Sequence, residues 1–132
     1  MSTTALPSVP RLFRVILPVR DIDRAAAFYG AVLGFPGEQV SPNRHYFDCG
    51  GTILACVGPQ PGGRQVRPNP EQIFFAVSDI DAVYERARQA GCEQIDDGVQ
   101  TQHWGERTFS LVDPSGNAIC FVDETTLYTG TR

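Results

Sequence analysis

The chain has 132 residues, 42% of them apolar and 20% charged, with a formal net charge of −4. That is the size and balance of one globular domain, and it excludes a mostly disordered chain. The 11 basic residues are all arginine and lie scattered along the chain, so no basic stripe marks a nucleic-acid partner. No apolar run approaches the ~20 residues of a membrane span. Met1–Pro7 has neither the charged region nor the apolar core of a secretory signal, and cytoplasmic residence is the expectation.

Residues 1–11 are polar, include two prolines and read as an arm. Phe13–Val19 alternates as a strand, with Val15, Leu17 and Val19 on one face and Arg14, Ile16 and Pro18 on the other. Asp21 is a helix N-cap, and Asp23 follows in the first turn, where the helix dipole favours an anion. Ala25, Phe28, Tyr29, Val32 and Leu33 recur at helical spacing until Gly34, which suits the residue after a helix end. A weak strand over Phe35–Val40 and a turn at Ser41–Asn43 follow. His45–Cys49 and Thr52–Val57 read as strands joined through Gly50-Gly51. The loop Gly58–Pro70, rich in Gly and Pro, is a linker, a lid or both.

A second round begins at Ile73–Val77, a strand. Asp79 caps a helix whose apolar positions are Val83, Tyr84, Ala87 and Ala90, and Gly91 ends it. Glu93–Val99 reads as a weak strand, and Gln100–Glu106 as a polar loop that carries His103 and Trp104. Arg107–Val112 and Asn117–Val122 form a closing hairpin around Asp113-Pro114-Ser115-Gly116, where Asp bonds local backbone, Pro presets φ and Gly tolerates positive φ. Glu124–Arg132 is a polar tail.

The two rounds share one element order. Val19-Arg20-Asp21-Ile22-Asp23 matches Val77-Ser78-Asp79-Ile80-Asp81, and the turn at Asp48–Gly51 matches that at Asp113–Gly116. The second round is longer between helix and hairpin, and the extra length falls in the loop with His103 and Trp104. Loops carried by a rigid scaffold tend to hold function.

The four cysteines, at positions 49, 56, 92 and 120, form no CxxC pair, and the two histidines do not accompany them. A zinc knuckle is excluded on that spacing. Cys56 and Cys120 fall inside apolar strands and are expected as buried, reduced thiols.

The helix motif Asp21 to Phe35 (DIDRAAAFYGAVLGF) and the turn Asp113–Asn117 (DPSGN), set in a repeated βαβββ order, resemble the vicinal oxygen chelate superfamily. This is the glyoxalase, bleomycin-resistance and extradiol-dioxygenase group. The resemblance covers residues 12 to 123. It implies an α+β fold of two tandem βαβββ modules, about 12–57 and 71–123 with a linker at 58–70, forming a U-shaped mixed-sheet cup that a homodimer completes. Enzymes of the group hold a metal at four strand positions, which correspond here to Arg14, Ala55, Gln72 and Cys120. Arginine is a permanent cation and alanine donates nothing, so no metal and no cofactor are expected at that set.

By alternation the cup would also carry Ile16 and Phe74, an apolar lining with few polar anchors, as small-molecule pockets have. Arg14 could hold a carboxylate or phosphate of a ligand, or pair with Glu71 or Asp123. His45, Tyr46, His103, Trp104 and Phe109 are candidates for stacking on a planar or cationic ligand. The histidine side chain suits proton transfer near neutral pH, so His45 and His103 are candidate acids or bases, and Cys120 is a candidate nucleophile if a neighbour lowers its pKa. No catalytic residue is singled out. The residues point to a metal-independent binding protein for a partly aromatic small molecule, resembling the bleomycin-resistance branch. The alternative is a glyoxalase- or dioxygenase-type enzyme with an altered metal site.

Overall fold

The computed structural model describes residues 8–60 and 65–130. The first seven residues of the arm, the centre of the 58–70 loop and the last two of the tail lie outside them. The first half runs β1 (Arg14–Pro18), α1 (Ile22–Leu33), β2 (Glu38–Ser41), β3 (Arg44–Cys49) and β4 (Thr52–Val57). The second runs β5 (Ile73–Val77), α2 (Ile80–Gln89), β6 (Gln94–Ile95), β7 (Gln100–Thr101), β8 (Arg107–Val112) and β9 (Ala118–Asp123). They form two open mixed sheets, ordered β1-β4-β3-β2 and β5-β9-β8-β6, with β7 also on β8. In each, the first strand lies parallel to the last and the others pair antiparallel.

Both helices start on the expected aspartates. Asp21 accepts from the Arg24 amide and Asp79 from the Ala82 amide, which satisfies donors that a helix N-terminus leaves over. Gly34, at φ 88°, closes α1. Gly37 is required for a different reason: a Cβ there would lie 2.6 Å from the Tyr46 carbonyl oxygen and 2.7 Å from the Phe47 ring.

The reading of one strand across Glu93–Val99 is corrected. Only Gln94–Ile95 pairs with β8, and pairing resumes at Gln100–Thr101. Asp96 interrupts the ladder: its amide donates to the Ser110 carbonyl, but the Ser110 amide donates to its side-chain Oδ2, at 2.8 Å. A carboxylate has taken the place of a backbone carbonyl, the competition that makes Asp unfavourable in strands.

One buried cluster joins the halves. It takes Leu17, Leu54, Ile119 and Phe121 from the sheets, Phe28, Tyr29 and Val32 from α1, and Val83 and Ala87 from α2. A polar knot holds it at one end. The Tyr29 hydroxyl donates to Asp113 Oδ2 at 2.6 Å. Asp113 Oδ1 accepts from the Ser115 and Asn117 amides at 2.8 and 2.9 Å. The Asn117 side-chain amide donates to the Pro18 carbonyl at 2.7 Å, and its oxygen accepts from the Asn69 amide at 2.8 Å. Tyr29, Asp113 and Asn117 are all fully buried, and a buried polar group without a partner costs more than an ordinary hydrogen bond returns.

The outer edge of β1 is covered by the same device. Its inner edge pairs with β4, and the outward carbonyls of Ile16 and Pro18 accept from the side chains of Asn69 and Asn117. An edge strand whose backbone groups are satisfied by side chains is a poor template for stray pairing.

Tyr29→Phe is expected to lower stability by about 1–3 kcal/mol, and Asn117→Ala by about 2–4 kcal/mol, since the latter strands partners in both halves. Urea unfolding at unchanged m-value checks both. Burial, then the Asp113 carboxylate, holds the Tyr29 phenol well above its ordinary value. The folded state therefore retains this proton longer than the unfolded chain, so stability falls as the pH rises beyond about 10. In Tyr29→Phe that alkaline loss is expected to be smaller, measured as midpoint against pH.

Candidate functional site

Strand register sorts the side chains onto two faces. The face towards the helices carries Leu17, Leu54, Phe75 and Phe121. The other face carries Arg14, Ile16 and Ala55 in the first half, and Gln72, Phe74 and Cys120 in the second. Ile16 is 45% exposed and Phe74 61% exposed, so this helix-free face presents apolar surface to the outside.

In the first half this face holds a cluster of cations and rings. Ala55 on β4 lies between Ile16 on β1 and Tyr46 on β3. The Arg14 guanidinium sits 5.5 Å from the centre of the Tyr46 ring and 4.9 Å from that of Phe13. Arg44 donates to the Tyr46 hydroxyl at 3.1 Å. Strands are spaced ~4.8 Å apart, so Arg14 reaches Tyr46 only by crossing β4. Ala55, 0% exposed, is the β4 residue directly opposite Tyr46, and its side chain is only a methyl group.

In the second half the same face is polar, and the Asp96 and Glu106 carboxylates lie close enough to act on Cys120 at its centre. Gln72 Nε2 donates to the Ser110 hydroxyl at 2.9 Å, and Gln102 Nε2 to the Thr108 hydroxyl at 3.0 Å. Cys120, 4% exposed, pairs in register with Phe74 on one side and Ser110 on the other. Burial, above all, raises its pKa; the Ser110 hydroxyl acts the other way, and the Asp96 charge raises it again. It is a protonated thiol at neutral pH, which removes the lowered pKa that a nucleophilic cysteine needs.

Two expected members of the lining stand elsewhere. His45 and Phe109 lie on the opposite face, because β3 and β8 alternate about Phe47 and Leu111. Phe109 is fully buried and stacks on Phe121 with ring centres 5.1 Å apart. His45 Nε2 lies 2.8 Å from the Pro36 carbonyl oxygen, with its ring 5.0 Å from that of Phe47. His103 and Trp104 contact one another edge to face at 4.7 Å, and the Trp104 Nε1 donates to Glu106 at 2.8 Å. Among the described residues no hydrogen bond or ring contact joins that pair to the Arg14 cluster. Arg107 is bound at 3.0 Å to Asp123, one of the two acids that are alternative partners for Arg14.

Reading the strands for lining residues missed Arg44, Ser110 and Thr108. The available signal was parity: once Phe47 and Leu111 are placed in the core, every second residue on β3 and β8 falls on the helix-free face.

A groove of about 690 Å³ opens beside β5. Leu33, Leu54, Ile73 and Phe75 line it together with Asp48, Thr52 and the exposed Phe74. The turn residue that matches Asn117 is Thr52, and its hydroxyl donates to Leu12 within its own half. No side-chain cap like those on β1 reaches across to β5 there among the described residues.

The Glyoxalase/Bleomycin resistance protein/Dioxygenase superfamily model matches residues 11–121. The chain belongs to this superfamily. It is 26% identical to the bleomycin resistance proteins of Geobacillus stearothermophilus and Staphylococcus aureus, over 90% of this chain and 97% of theirs. Among solved structures, a glyoxalase-related enzyme from Fulvimarina pelagi superposes with a TM-score of 0.75 at 20% identity, covering 93% of this chain and 94% of that one. A glyoxalase/bleomycin resistance protein from Albidiferax ferrireducens superposes with a TM-score of 0.71 at 23% identity, covering 84% of this chain and 97% of the other. These likenesses show the fold.

The residues at the superfamily's metal positions do not fit a metal ion. Arg14 is a fixed cation, Ala55 has no donor atom, and Cys120 would be the one sulfur ligand, 4% exposed. Gln72 alone offers an oxygen, and one amide does not hold a divalent ion. Among the described residues no group of three or more His, Cys, Asp or Glu could hold one.

In the folded protein, iodoacetamide at neutral pH is expected to modify half-buried Cys49 and Cys92 well before Cys56 and Cys120. Burial, first of all, pushes the Cys56 thiol up to about 12, and Cys120 is also raised. Peptide mass spectrometry on timed samples reads the order, and denaturation should make all four cysteines react alike.

Proposed function

We propose that this protein is a metal-independent small-molecule binding protein whose ligand lies on the helix-free face. The observation that carries this reading is the set Arg14, Ala55, Gln72 and Cys120. At these positions the superfamily's enzymes hold a metal; here they supply a cation, a methyl floor, an amide and a shielded thiol. With exposed Ile16 and Phe74 beside them, they make an apolar surface with a few fixed polar anchors, the composition of a ligand site rather than of a reaction centre. The likeness to bleomycin resistance proteins supports binding over turnover.

A homodimer fits the same reading. Ile16 and Phe74 leave much apolar area uncovered, and a second copy placing its own sheets opposite would enclose a ligand between chains. His103 and Trp104, on the loop found only in the second half, would then be free to approach that ligand.

The test is a titration against a panel of planar aromatic compounds, followed through Trp104 fluorescence and by calorimetry, with sedimentation run in parallel. Saturable binding at micromolar concentrations by a species of twice the chain mass is expected. Absence of binding up to millimolar concentration across the panel would overturn the proposal. Phe74→Ala is expected to weaken binding by about 1–3 kcal/mol, the cost of losing one large apolar contact.

A further inference from the structure

The cluster on the first sheet says what the ligand carries. Among the described residues the ion pairs are those of Arg20, Arg88 and Arg107. Arg14 and Arg44 form none. Instead both are fixed by one tyrosine: Arg14 across the Tyr46 ring face at 5.5 Å, Arg44 at its hydroxyl at 3.1 Å. The Phe13 ring also contacts Arg14, its centre 4.9 Å away. One guanidinium is thus held on an open face by rings and the other by a hydroxyl, neither by a carboxylate.

That is an arrangement with recognition capacity in reserve. Contact with a ring leaves the N–H donors at the guanidinium edge free, and the planar fork of those donors matches the spacing of oxyanion oxygens. A ring-held arginine has also lost part of its side-chain freedom before any ligand arrives, which lowers the entropic cost of binding. Among the described residues of the first sheet, two carboxylates share this face. Glu38 lies opposite Tyr46 and Asp48 opposite Ile53. Among the described residues neither forms an ion pair with an arginine, and Asp48 accepts from the Gly51 amide at 2.8 Å. The apolar neighbours Ile16 and Ala55 continue the surface away from the cations.

Resting on the binding reading above, we infer that the ligand is an oxyanion carried on a planar apolar body, its charge gripped by Arg14 and Arg44 and its body laid along Tyr46 and Ile16. Ala55 is part of the device: a larger residue there would lift Arg14 off Tyr46.

The probes are 2-naphthoate, 2-naphthyl phosphate, neutral 2-naphthamide and cationic 2-naphthylmethylammonium, each titrated calorimetrically into the full-length protein. One or both anions are expected to bind at least about tenfold tighter than the amide, with the cation weakest, and the margin should shrink in 0.5 M salt. Which anion binds tighter identifies the head group as carboxylate or phosphate. In the double variant R14Q/R44Q, with folding verified by thermal unfolding, the anions should bind no better than the amide. A55L should reduce the same preference while leaving both arginines in place. Equal binding of amide and anions, or a preference that survives R14Q/R44Q, would overturn the inference and leave the binding reading standing. Failure of all four probes to bind would instead remove the binding reading itself.

Discussion

The bond from the Tyr29 hydroxyl to Asp113 is the point from which the rest of this molecule is positioned. It joins a helix of the first half to the closing turn of the second, inside the shared core. Through Asp113 it fixes the Ser115 and Asn117 amides, and through Asn117 it fixes Pro18 and Asn69. The start of β9 and the end of β1 are therefore set by one carboxylate. Buried polar networks of this kind are stabilising only when every member is satisfied, and here each polar atom of Tyr29, Asp113 and Asn117 that points inward finds a partner. The register of β9, hence the face on which Cys120 lies, follows from it.

Much of this was legible in the sequence. Alternation in β1, β4, β5 and β9 sorted Leu17, Leu54, Phe75 and Phe121 from Ile16, Ala55, Phe74 and Cys120 without ambiguity, since one-residue slips would bury Arg14 or expose Phe121. The aspartate caps and Gly34 fixed both ends of α1. Three things were not legible. Asp96 stands in for a backbone acceptor, which no propensity expresses. His45 and Phe109 suit stacking by their ring chemistry, but parity places both on the helix side. Arg14 and Arg44 converge on Tyr46 only because β1 and β3 lie on either side of β4, a neighbourhood set by sheet order rather than by distance along the chain.

The superfamily's architecture and its usual chemistry separate in this chain. Everything that shapes the sheets is present: the capped helices, the Asp113–Asn117 turn, the parallel outer strands. The metal positions carry side chains that repel, lack donors or are shielded. Those side chains have other work on the proposed reading. Ala55 makes room, Arg14 supplies charge, Gln72 is tied to Ser110, and Cys120 packs under Phe74. Fold alone does not assign function; the residues on one sheet face decide between binding and turnover.

The central claim is that ligand recognition on this face needs no metal. The most direct measurement is amide chemical-shift mapping of the isotope-labelled protein with 2-naphthoate, in buffer containing excess EDTA and again with added Zn²⁺ or Mn²⁺. The account predicts shifts at Arg14, Ile16, Tyr46 and Ala55 in EDTA, with an affinity that the metals leave unchanged. Binding that appears only once a divalent ion is supplied would contradict it.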